Sequence, residues 1–485
     1  MPPTSLQNLA PEMSLTPASA ISQLPGKVLG EIFNHSSMGW PDDDVPGFLL
    51  RVNTKRAHLP FQLASVCQRW RTACLEAPFL WQYIVIENRR HSKSTRAYVD
   101  LMVARSQGKD LDIYFEYAAG WYAESYELVF DALIEQRNRW HRVVALLSQG
   151  LTSHFLHLFC AETPRLRTLQ LSVQALPDNA DTFQVAAMEL AAVSPVIFLG
   201  DAFLSSAPNL HCLTLVNVPI VLEKWSLDRH SQFKMLELIQ RQIPERALWP
   251  LLRNHPELEW LFLGCFLPEM GSDVTDGPQE PVDLPVLDSL WLQKEAAQLF
   301  VRHPTILNLP VLNELTLRCY SYANLSPFFG HLSSTTTLRD LYLTTLLRLT
   351  DGDIDALAAL ERVQTVRCWA IIIPATLLQR LMAHAESKEE RIMWPMVTGL
   401  EIGPTFEDDV VSSNLVVALA QMRRERRVIS KSPGGAETFR WQRCLVSTSA
   451  VLPADQMTEL EAIRNFVADS IKLEAAYIES ELPDR

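Results

Sequence analysis

Several short motifs that mark common enzyme sites are missing from this 485-residue sequence. It contains no G-x-x-x-x-G-K-[ST], no G-x-G-x-x-G, no G-x-S-x-G and no H-E-x-x-H. Two acidic runs, at 41–46 and 406–410, have no matching ligands beside them, and we interpret them as solvated turns. We therefore expect no catalytic residue, no cofactor and no metal, and we do not expect an enzyme. An enzyme whose site is hidden within the rest of the chain is a weaker alternative.

Signals for secretion or membrane insertion are also lacking. The first 20 residues have neither the basic segment nor the continuous apolar segment of a secretion signal. The most apolar run, at 370–378, is too short to span a bilayer and contains Pro374. We therefore expect a location in the cytoplasm or the nucleus. A basic run at 423–427 is compatible with nuclear import, but Glu425 interrupts it and a charged helix face is the simpler interpretation.

Paired cysteines and an excess of positive charge are missing too. The eight cysteines stand singly among apolar residues without a C-x-x-C pair, so we expect buried thiols in a reducing compartment. The formal net charge of −13 argues against a broad nucleic-acid-binding face. Hydrophobic residues make up 48% of the chain and charged residues 20%, which indicates a folded protein. Its length predicts two or more units, or one elongated repeat array.

Apolar residues near the start of the chain fall at helical spacing in two segments. The first segment, ISQLPGKVLGEIFNH at 21–35, places five of them on one stripe. The second helix is predicted from Pro60 to Ala77, with Pro78 ending it and a loop at 36–58 before it. Its predicted buried stripe consists of Leu63, Val66, Cys67, Trp70, Cys74 and Ala77. Because so short a unit buries little surface, we expect these helices to pack against a partner as well as their own chain.

These segments, LPGKVLGEIF and LASVCQRWRTACLEAPFLW, resemble an F-box over residues 21–86. The usual form is an L-P-x-E-[VLI]-L-x-x-I-[FL] helix followed by V-C-[KR]-x-W-R and P-x-L-W; here Lys27 stands where the family is usually acidic. The resemblance implies docking onto a Skp-type adaptor and through it onto a cullin scaffold. The adaptor-binding residues that it implies are Leu24, Pro25, Val28, Leu29, Ile32, Phe33, Val66, Cys67, Trp70, Leu80 and Trp81. The alternative is that these residues only form a helical core within their own chain and do not bind an adaptor.

A different pattern, P-x-L-x-x-L-x-L, recurs through the rest of the chain. It appears at 164–171, 208–215, 256–263, 285–292 and 310–317, and without the proline at 233–239, 338–343, 363–368 and 397–402. The apolar residues that open the L-x-L element from Leu213 to Val366 stand 23, 25, 29, 25, 26 and 25 residues apart. Such units bury their apolar faces only by stacking, which predicts a leucine-rich-repeat-like solenoid.

The predicted fold is therefore α/β: a small helical F-box unit followed by an irregular solenoid with parallel strands on one side and helices on the other. Helices are predicted in 91–117, 122–137, 296–304 and 354–363, and strands at the end of 91–117 and at 137–147. The missing asparagine after each strand predicts an irregular arc. The domains that we expect are a disordered tail at 1–20, the F-box-like unit at 21–86, a linking and capping segment at 87–160, the solenoid at 161–403 and a cap at 404–485.

Two functions from different classes compete. In the first, the chain is the substrate-recognition subunit of an SCF-type ubiquitin ligase, with the solenoid holding a target protein. In the second, it is a repeat scaffold or interaction protein without a ligase role. We expect the target on the outward strand face, which includes Arg167, Gln170, Thr214, Glu237, Trp260, Phe262, Trp291, Glu314, Thr316 and Tyr342. The six most suggestive target-binding residues are Trp260, Phe262, Trp291, Glu314, Thr316 and Tyr342, unless a loop or the carboxy-terminal helix covers them.

Overall fold

The structure is a computed structural model whose residues fall into two compact units, Met1–Val144 and Ala145–Arg485, each described separately. The residues that it describes are 24–38, 54–86, 92–116, 124–148, 162–174, 207–218, 233–239, 245–264, 280–293, 296–318, 324–335, 337–344, 349–369, 399–402 and 443–446. The expected tail at 1–20 and nearly all of the expected cap at 404–485 lie outside these residues. None of the helices among these residues combines the length and the apolar composition that spanning a bilayer requires.

The first unit begins with helices and continues with alternating strands and helices. Its helices are α1 (Gly26–Met38), α2 (Thr54–Val66), α3 (Gln68–Leu75), α4 (Ser92–Arg105) and α5 (Glu124–Ile134). Short 3-10 turns span Pro78–Trp81 and Arg137–Arg139. The strands are β1 (Tyr83–Ile86), β2 (Leu111–Glu116) and β3 (Trp140–Ser148), adjacent in that order, with β1 and β2 parallel. The helices and strands predicted between 91 and 147 are therefore confirmed.

The prediction of one helix from Pro60 to Ala77 is wrong, because the chain forms two. The backbone of Cys67 is extended, and its sulfur accepts a hydrogen bond from the Trp70 backbone N–H at 3.5 Å, which caps α3. Helix α2 also begins earlier than predicted, at Thr54, and contains Pro60 in its interior. The predicted buried stripe breaks at the same junction, since Val66 and Cys67 are exposed. Cys67 is thus an exception to the expected buried thiols.

The core of the first unit is built around Trp81. This side chain is fully buried, and its Nε1 donates a hydrogen bond to the Cys74 carbonyl at 2.8 Å. Phe61 meets the indole edge-on with ring centroids 5.3 Å apart, and the Arg105 guanidinium lies over it at 4.3 Å. Elements α2, α3, α4 and the 3-10 turn therefore share one core, which also satisfies the polar atom of the tryptophan.

The second unit is a long parallel sheet. Ten strands are described in it, in the spatial order β4-β5-β6-β7-β9-β11-β12-β13-β14-β15, and every neighbouring pair is parallel. Their bounds are β4 (Thr168–Gln174), β5 (Cys212–Val216), β6 (Met235–Ile239), β7 (Trp260–Gly264), β9 (Ser289–Gln293), β11 (Glu314–Arg318), β12 (Asp340–Thr344), β13 (Thr365–Trp369), β14 (Gly399–Ile402) and β15 (Arg443–Val446). Two short strands, β8 (Val282–Asp283) and β10 (Leu307–Asn308), pair separately. The predicted parallel α/β architecture is confirmed.

Each predicted repeat contributes one strand, and the strands align as the sequence period requires. Eight apolar residues are successive register partners and all are fully buried: Leu169, Leu213, Leu236, Leu261, Leu290, Leu315, Leu341 and Val366. Complete burial of each such side chain contributes about 2 kcal/mol to stability. The ladder forms because residues two apart on a strand share a face, so the L-x-L pair of every repeat points into one core.

Backbone hydrogen bonds set the register at the start of each strand. The N–H groups of Glu259 and Trp260 both donate to the Lys234 carbonyl, and those of Asn313 and Glu314 both donate to the Asp288 carbonyl. At the start of every strand of this sheet from β5 to β13, two consecutive N–H groups likewise donate to one carbonyl of the preceding repeat. Main-chain groups therefore align neighbouring repeats although the sequence lacks the regular asparagine of an ideal solenoid.

Four helices are described in the second unit: α6 (Glu245–Arg253), α7 (Ala296–Arg302), α8 (Ser326–Thr335) and α9 (Asp351–Ala358). Helix α7 confirms the prediction at 296–304. Helix α9 begins three residues before the predicted start because Thr350 caps it: the Thr350 hydroxyl accepts from the Asp353 N–H, and the Asp353 carboxylate accepts from the Thr350 N–H.

Candidate protein-binding surfaces

Helix α1 has two apolar faces, and only one of them is buried. Leu29 and Phe33, four residues apart, are 1% exposed, and the Phe33 ring packs against Trp70 with centroids 5.0 Å apart. Val28 and Ile32, also four residues apart, are 41% and 46% exposed. The face that anchors α1 and the face that presents branched apolar groups to solvent thus lie about 100° apart around the helix axis.

The junction of α2 and α3 adds a second exposed apolar feature. Val66, the last residue of α2, is 60% exposed, and Leu75 at the end of α3 is also exposed. Among the described residues, six large apolar side chains are classed as exposed, and four of them belong to α1–α3: Val28, Ile32, Val66 and Leu75. We call these four residues the helical ridge. Their concentration in one small unit is the property expected of a surface that another protein covers.

The structure divides the eleven predicted adaptor-binding residues into two groups. Pro25, Val28, Ile32, Val66 and Cys67 are exposed, and Leu24 and Trp70 are half-buried. The other four cannot contact an adaptor directly in this conformation, which corrects the prediction for them. Their side chains lie within the core of their own unit: Leu29, Phe33, Leu80 and Trp81. Leu75 was missed although the predicted buried stripe already left it out, and a leucine outside that stripe was the signal that could have found it.

The second surface is the outward face of the parallel sheet. One row of register partners crosses it, and from β5 to β13 the members of this row are Thr214, Glu237, Phe262, Trp291, Thr316, Tyr342 and Arg367. The first three members are buried, whereas the last four are half-buried. We call this face, from β9 to β12, the open strand face because its central side chains are partly accessible there.

Three aromatic rings meet near the middle of the row. The ring centroids of Trp260, Phe262 and Trp291 lie 5.8–6.0 Å from one another. Trp260 and Phe262 are each only 7% exposed, and they form an apolar cluster with Val216 and Ile239. The prediction that both are available to a target is therefore wrong, since adjacent strands place apolar side chains beside them. Trp291 packs against this cluster and remains half-buried.

Glu237 is fully buried beside that apolar cluster. One carboxylate oxygen accepts a hydrogen bond from the Thr214 hydroxyl at 3.1 Å, while the other, Oε1, has no hydrogen-bond partner. Burial raises the pKa of Glu237 from 4.5 to about 7, and the Thr214 bond opposes part of this rise. The sequence placed Glu237 on the outward face but gave no signal that the face is closed at this strand.

Glu314 lies on the half-buried part of the same face. Its Oε1 accepts a hydrogen bond from the Trp291 Nε1 at 2.9 Å, and the Ser289 hydroxyl lies 3.5 Å from Oε2. Burial raises the pKa of Glu314, the Trp291 bond lowers it, and the neighbouring carboxylates Asp340 and Asp288 raise it further. These two aspartates were not among the predicted site residues. Asp288 lies just before β9, whereas Asp340 is the register partner of Glu314 and could have been found from the same pattern.

The remaining predicted residues of the face are spread over several strands. Arg167 is exposed and Gln170 is buried. Thr316 and Tyr342 are half-buried, and the Arg367 guanidinium lies over the Tyr342 ring at 4.7 Å from its centroid. Four of the six predicted target-binding residues therefore share the open strand face: Trp291, Glu314, Thr316 and Tyr342.

No protein-family model matches this chain, and no curated protein matches its sequence significantly. The helical ridge and the open strand face are therefore the features of this chain that bear on its function.

Proposed function

We propose that this protein is the substrate-recognition subunit of a cullin-based, SCF-type ubiquitin ligase. In this proposal, helices α1–α3 dock onto a Skp-type adaptor, and the parallel sheet binds the target protein. The observation that supports it most directly is the helical ridge, where Val28, Ile32 and Val66 are exposed on a unit that already has a core of its own. The F-box resemblance of the same segment identifies the kind of partner.

Docking of the ridge would be driven by burial of apolar surface. Val28, Ile32 and Val66 are each about half exposed, so covering each one contributes about 1 kcal/mol. The buried residues Leu29 and Phe33 hold α1 in place, with Phe33 packed against Trp70 of α3. A partner therefore meets a surface whose backbone is already positioned, which lowers the entropic penalty of binding.

The chain itself performs no chemistry in this mechanism. The adaptor-bound helical unit and the target-bound sheet are parts of one polypeptide, so a captured target is held near the ubiquitin-conjugating enzyme. Its lysines then react at a high effective concentration instead of by random encounter. The proposal places the protein in the cytoplasm or nucleus, where thiols such as those of Cys67, Cys74 and Cys368 stay reduced. It involves no nucleic acid and no membrane.

Co-purification with a Skp-type adaptor tests the proposal. The full chain and the adaptor are co-expressed, and the complex is captured through a tag on the adaptor. We expect the wild type to be captured, and we expect Val28→Glu with Ile32→Glu to abolish capture because two charges would be buried in an apolar interface. The matched control is Val286→Glu with Val311→Glu, two valines of the second unit with comparable exposure.

Capture that survives the α1 substitutions, or a wild type that is never captured, would overturn the ligase assignment.

The second candidate is a repeat scaffold without a ligase role. The half-buried, partly polar open strand face favours it independently, because such a face can bind a protein whether or not the helices bind an adaptor. Failure of adaptor capture with intact folding would leave this second function as the better one.

A further inference from the structure

The amino-terminal ends of three neighbouring strands carry a row of carboxylates. Asp288 immediately precedes β9, Glu314 begins β11 and Asp340 begins β12. Glu314 and Asp340 are register partners, and Ser289, next to Asp288, is the partner of Glu314 on the other side. Neighbouring strands lie about 4.8 Å apart, so the row spans about 10 Å. We call these three residues the acidic edge.

The charges of the acidic edge are not balanced within the described residues. Asp288 is exposed, Glu314 and Asp340 are half-buried, and no basic side chain described in the structure forms an ion pair with any of them. Asp340 and Asp288 raise the pKa of Glu314, so the three groups repel one another. A bound cation would relieve this repulsion and would be attracted by all three carboxylates.

Aromatic rings lie directly beside the acidic edge. Trp291 donates its indole hydrogen to Glu314 and packs against Phe262 and Trp260. Aromatic faces attract cations, and arginine above all. The sheet already contains one such pair, since the Arg367 guanidinium lies over the Tyr342 ring. The face therefore has both the charge and the rings that bind a guanidinium or an ammonium group.

A second and independent observation lies on the same face at the other side of the aromatic rings. The Glu237 carboxyl is fully buried next to Phe262 in the cross-strand row, and its Oε1 has no hydrogen-bond partner. A buried carboxyl oxygen without a donor is unfavourable in isolation. Because burial raises its pKa to about 7, only part of the molecules carry the Glu237 carboxylate at neutral pH, and in those it adds negative potential on the side of Trp260 and Phe262 opposite the acidic edge.

We propose that the open strand face binds a basic segment of the target protein, with arginine or lysine side chains on the acidic edge and against Trp291. This inference rests on the proposed function, because it specifies the chemistry of the target that the sheet receives. Arg318 at the carboxy-terminal end of β11 and Arg367 in the middle of β13 would repel a basic segment, which favours the amino-terminal ends of the strands. In a segment of polyproline II conformation, residues three apart share one face and are about 9 Å apart, which is close to the span of the edge.

Direct peptide binding to the purified full chain tests this inference. The probe is a fluorescein-labelled ten-residue peptide of glycine and serine with arginine at every third position, compared with analogues that carry lysine or glutamate instead. Fluorescence anisotropy gives each Kd. We expect the arginine peptide to bind best, the glutamate peptide not to bind, and the Kd to rise severalfold between about 50 mM and about 300 mM salt.

Charge removal at the acidic edge should weaken binding of the arginine peptide at least tenfold. The variant combines Asp288→Asn, Glu314→Gln and Asp340→Asn, which keep the size of each side chain; Gln at 314 also keeps an acceptor for Trp291. Trp291→Leu is a second, single substitution that removes the ring and leaves every charge in place, with an expected loss of about threefold or more. Thermal unfolding verifies that both variants fold.

The matched control removes the same number of charges away from the strand face. It combines Glu257→Gln, Asp355→Asn and Glu361→Gln, three exposed residues in turns and in α9. We expect its Kd to stay within about twofold of the wild type, since only the general attraction of an acidic protein changes. Equal losses in the two triple variants would overturn the inference, and so would equal binding of the glutamate peptide.

No measurable binding of the arginine peptide at about 1 mM would also overturn it. The result is separable from the ligase proposal, because the peptide assay contains no adaptor and the adaptor assay alters only α1. Absence of peptide binding together with intact adaptor capture refutes only the proposal of a basic target segment. Peptide binding without adaptor capture refutes the ligase role alone.

Discussion

Trp291 and Glu314 form a hydrogen bond between adjacent strands, in which the indole Nε1 donates to Oε1 at 2.9 Å. The two residues are not register partners: Trp291 lies opposite Thr316, and Glu314 lies opposite Ser289. The bond therefore runs diagonally across the open strand face. It joins the aromatic rings to the acidic edge and gives a half-buried carboxylate one of its few donors.

Trp291→Phe should lower the free energy of unfolding by about 1–2 kcal/mol at neutral pH, because Glu314 loses a donor while an aromatic ring is kept. Chemical denaturation measures the change. In a Glu314→Gln background the same substitution should have a clearly smaller effect, since a neutral amide needs the donor less. Equal effects in the two backgrounds would show that the diagonal bond contributes nothing beyond packing.

Glu237 should make the stability of the second unit depend on pH. Its pKa in the folded protein is raised to about 7 from 4.5, so the folded state holds a proton that the unfolded state has released between these values. Stability from this group is therefore fully present below pH 4.5 and is lost as pH rises to about 7. The expected loss is about 3 kcal/mol.

Glu237→Gln removes this dependence, since the amide does not titrate. The difference in unfolding free energy between variant and wild type should grow in favour of the variant from about pH 4.5 to about pH 7 and then stay constant. Urea denaturation at a series of pH values measures it. Parallel stability curves for the two proteins would contradict the buried, unpaired state of the carboxyl.

Alanine substitution should separate the two faces of α1. Phe33→Ala removes a fully buried ring that packs against Trp70 and should destabilise the first unit by about 3–4 kcal/mol. Ile32→Ala, one position away on the exposed face, should change stability by less than about 0.5 kcal/mol. Thermal unfolding of both variants is the measurement. Similar losses at the two positions would mean that Ile32 is covered in the free protein.

Cys67→Ser should stabilise α3. The Cys67 sulfur is a weak acceptor 3.5 Å from the Trp70 nitrogen, and a serine oxygen is among the best caps at this position. The expected gain is about 0.5 kcal/mol, and Cys67→Ala, which has no acceptor, should be less stable than wild type by a similar amount. The reverse order of the two variants would exclude a capping role for this side chain.

Much of the sheet could be predicted from spacing alone. The L-x-L pattern singled out residues such as Leu213, Leu261 and Val366. In the structure each of them is the register partner of the equivalent residue on the next strand and is fully buried. The prediction succeeded because strand periodicity is local: side chains two residues apart on a strand share a face, and distant parts of the chain do not change this. The helical spacing at 21–35 was equally local and located α1.

The open strand face was predicted less completely. The pattern placed Trp260 and Trp291 on one face, but it could not show that Trp260 is buried by Phe262, Val216 and Ile239 while Trp291 stays half-buried. The break at Cys67 was missed for a related reason. Its extended backbone and the capping sulfur depend on how α2 and α3 pack, and both sides of the break have acceptable helical spacing.

Residue order alone thus established the alternation of buried and outward positions, the parallel repeat and the segment whose helices resemble a docking module. Folding in three dimensions decided which outward residues stay accessible: Ile32 rather than Phe33, Trp291 rather than Trp260, and a buried Glu237 with an oxygen left unpaired. The physical reason is that periodicity depends on chain geometry within a few residues. Burial depends instead on side chains brought together from distant parts of the chain.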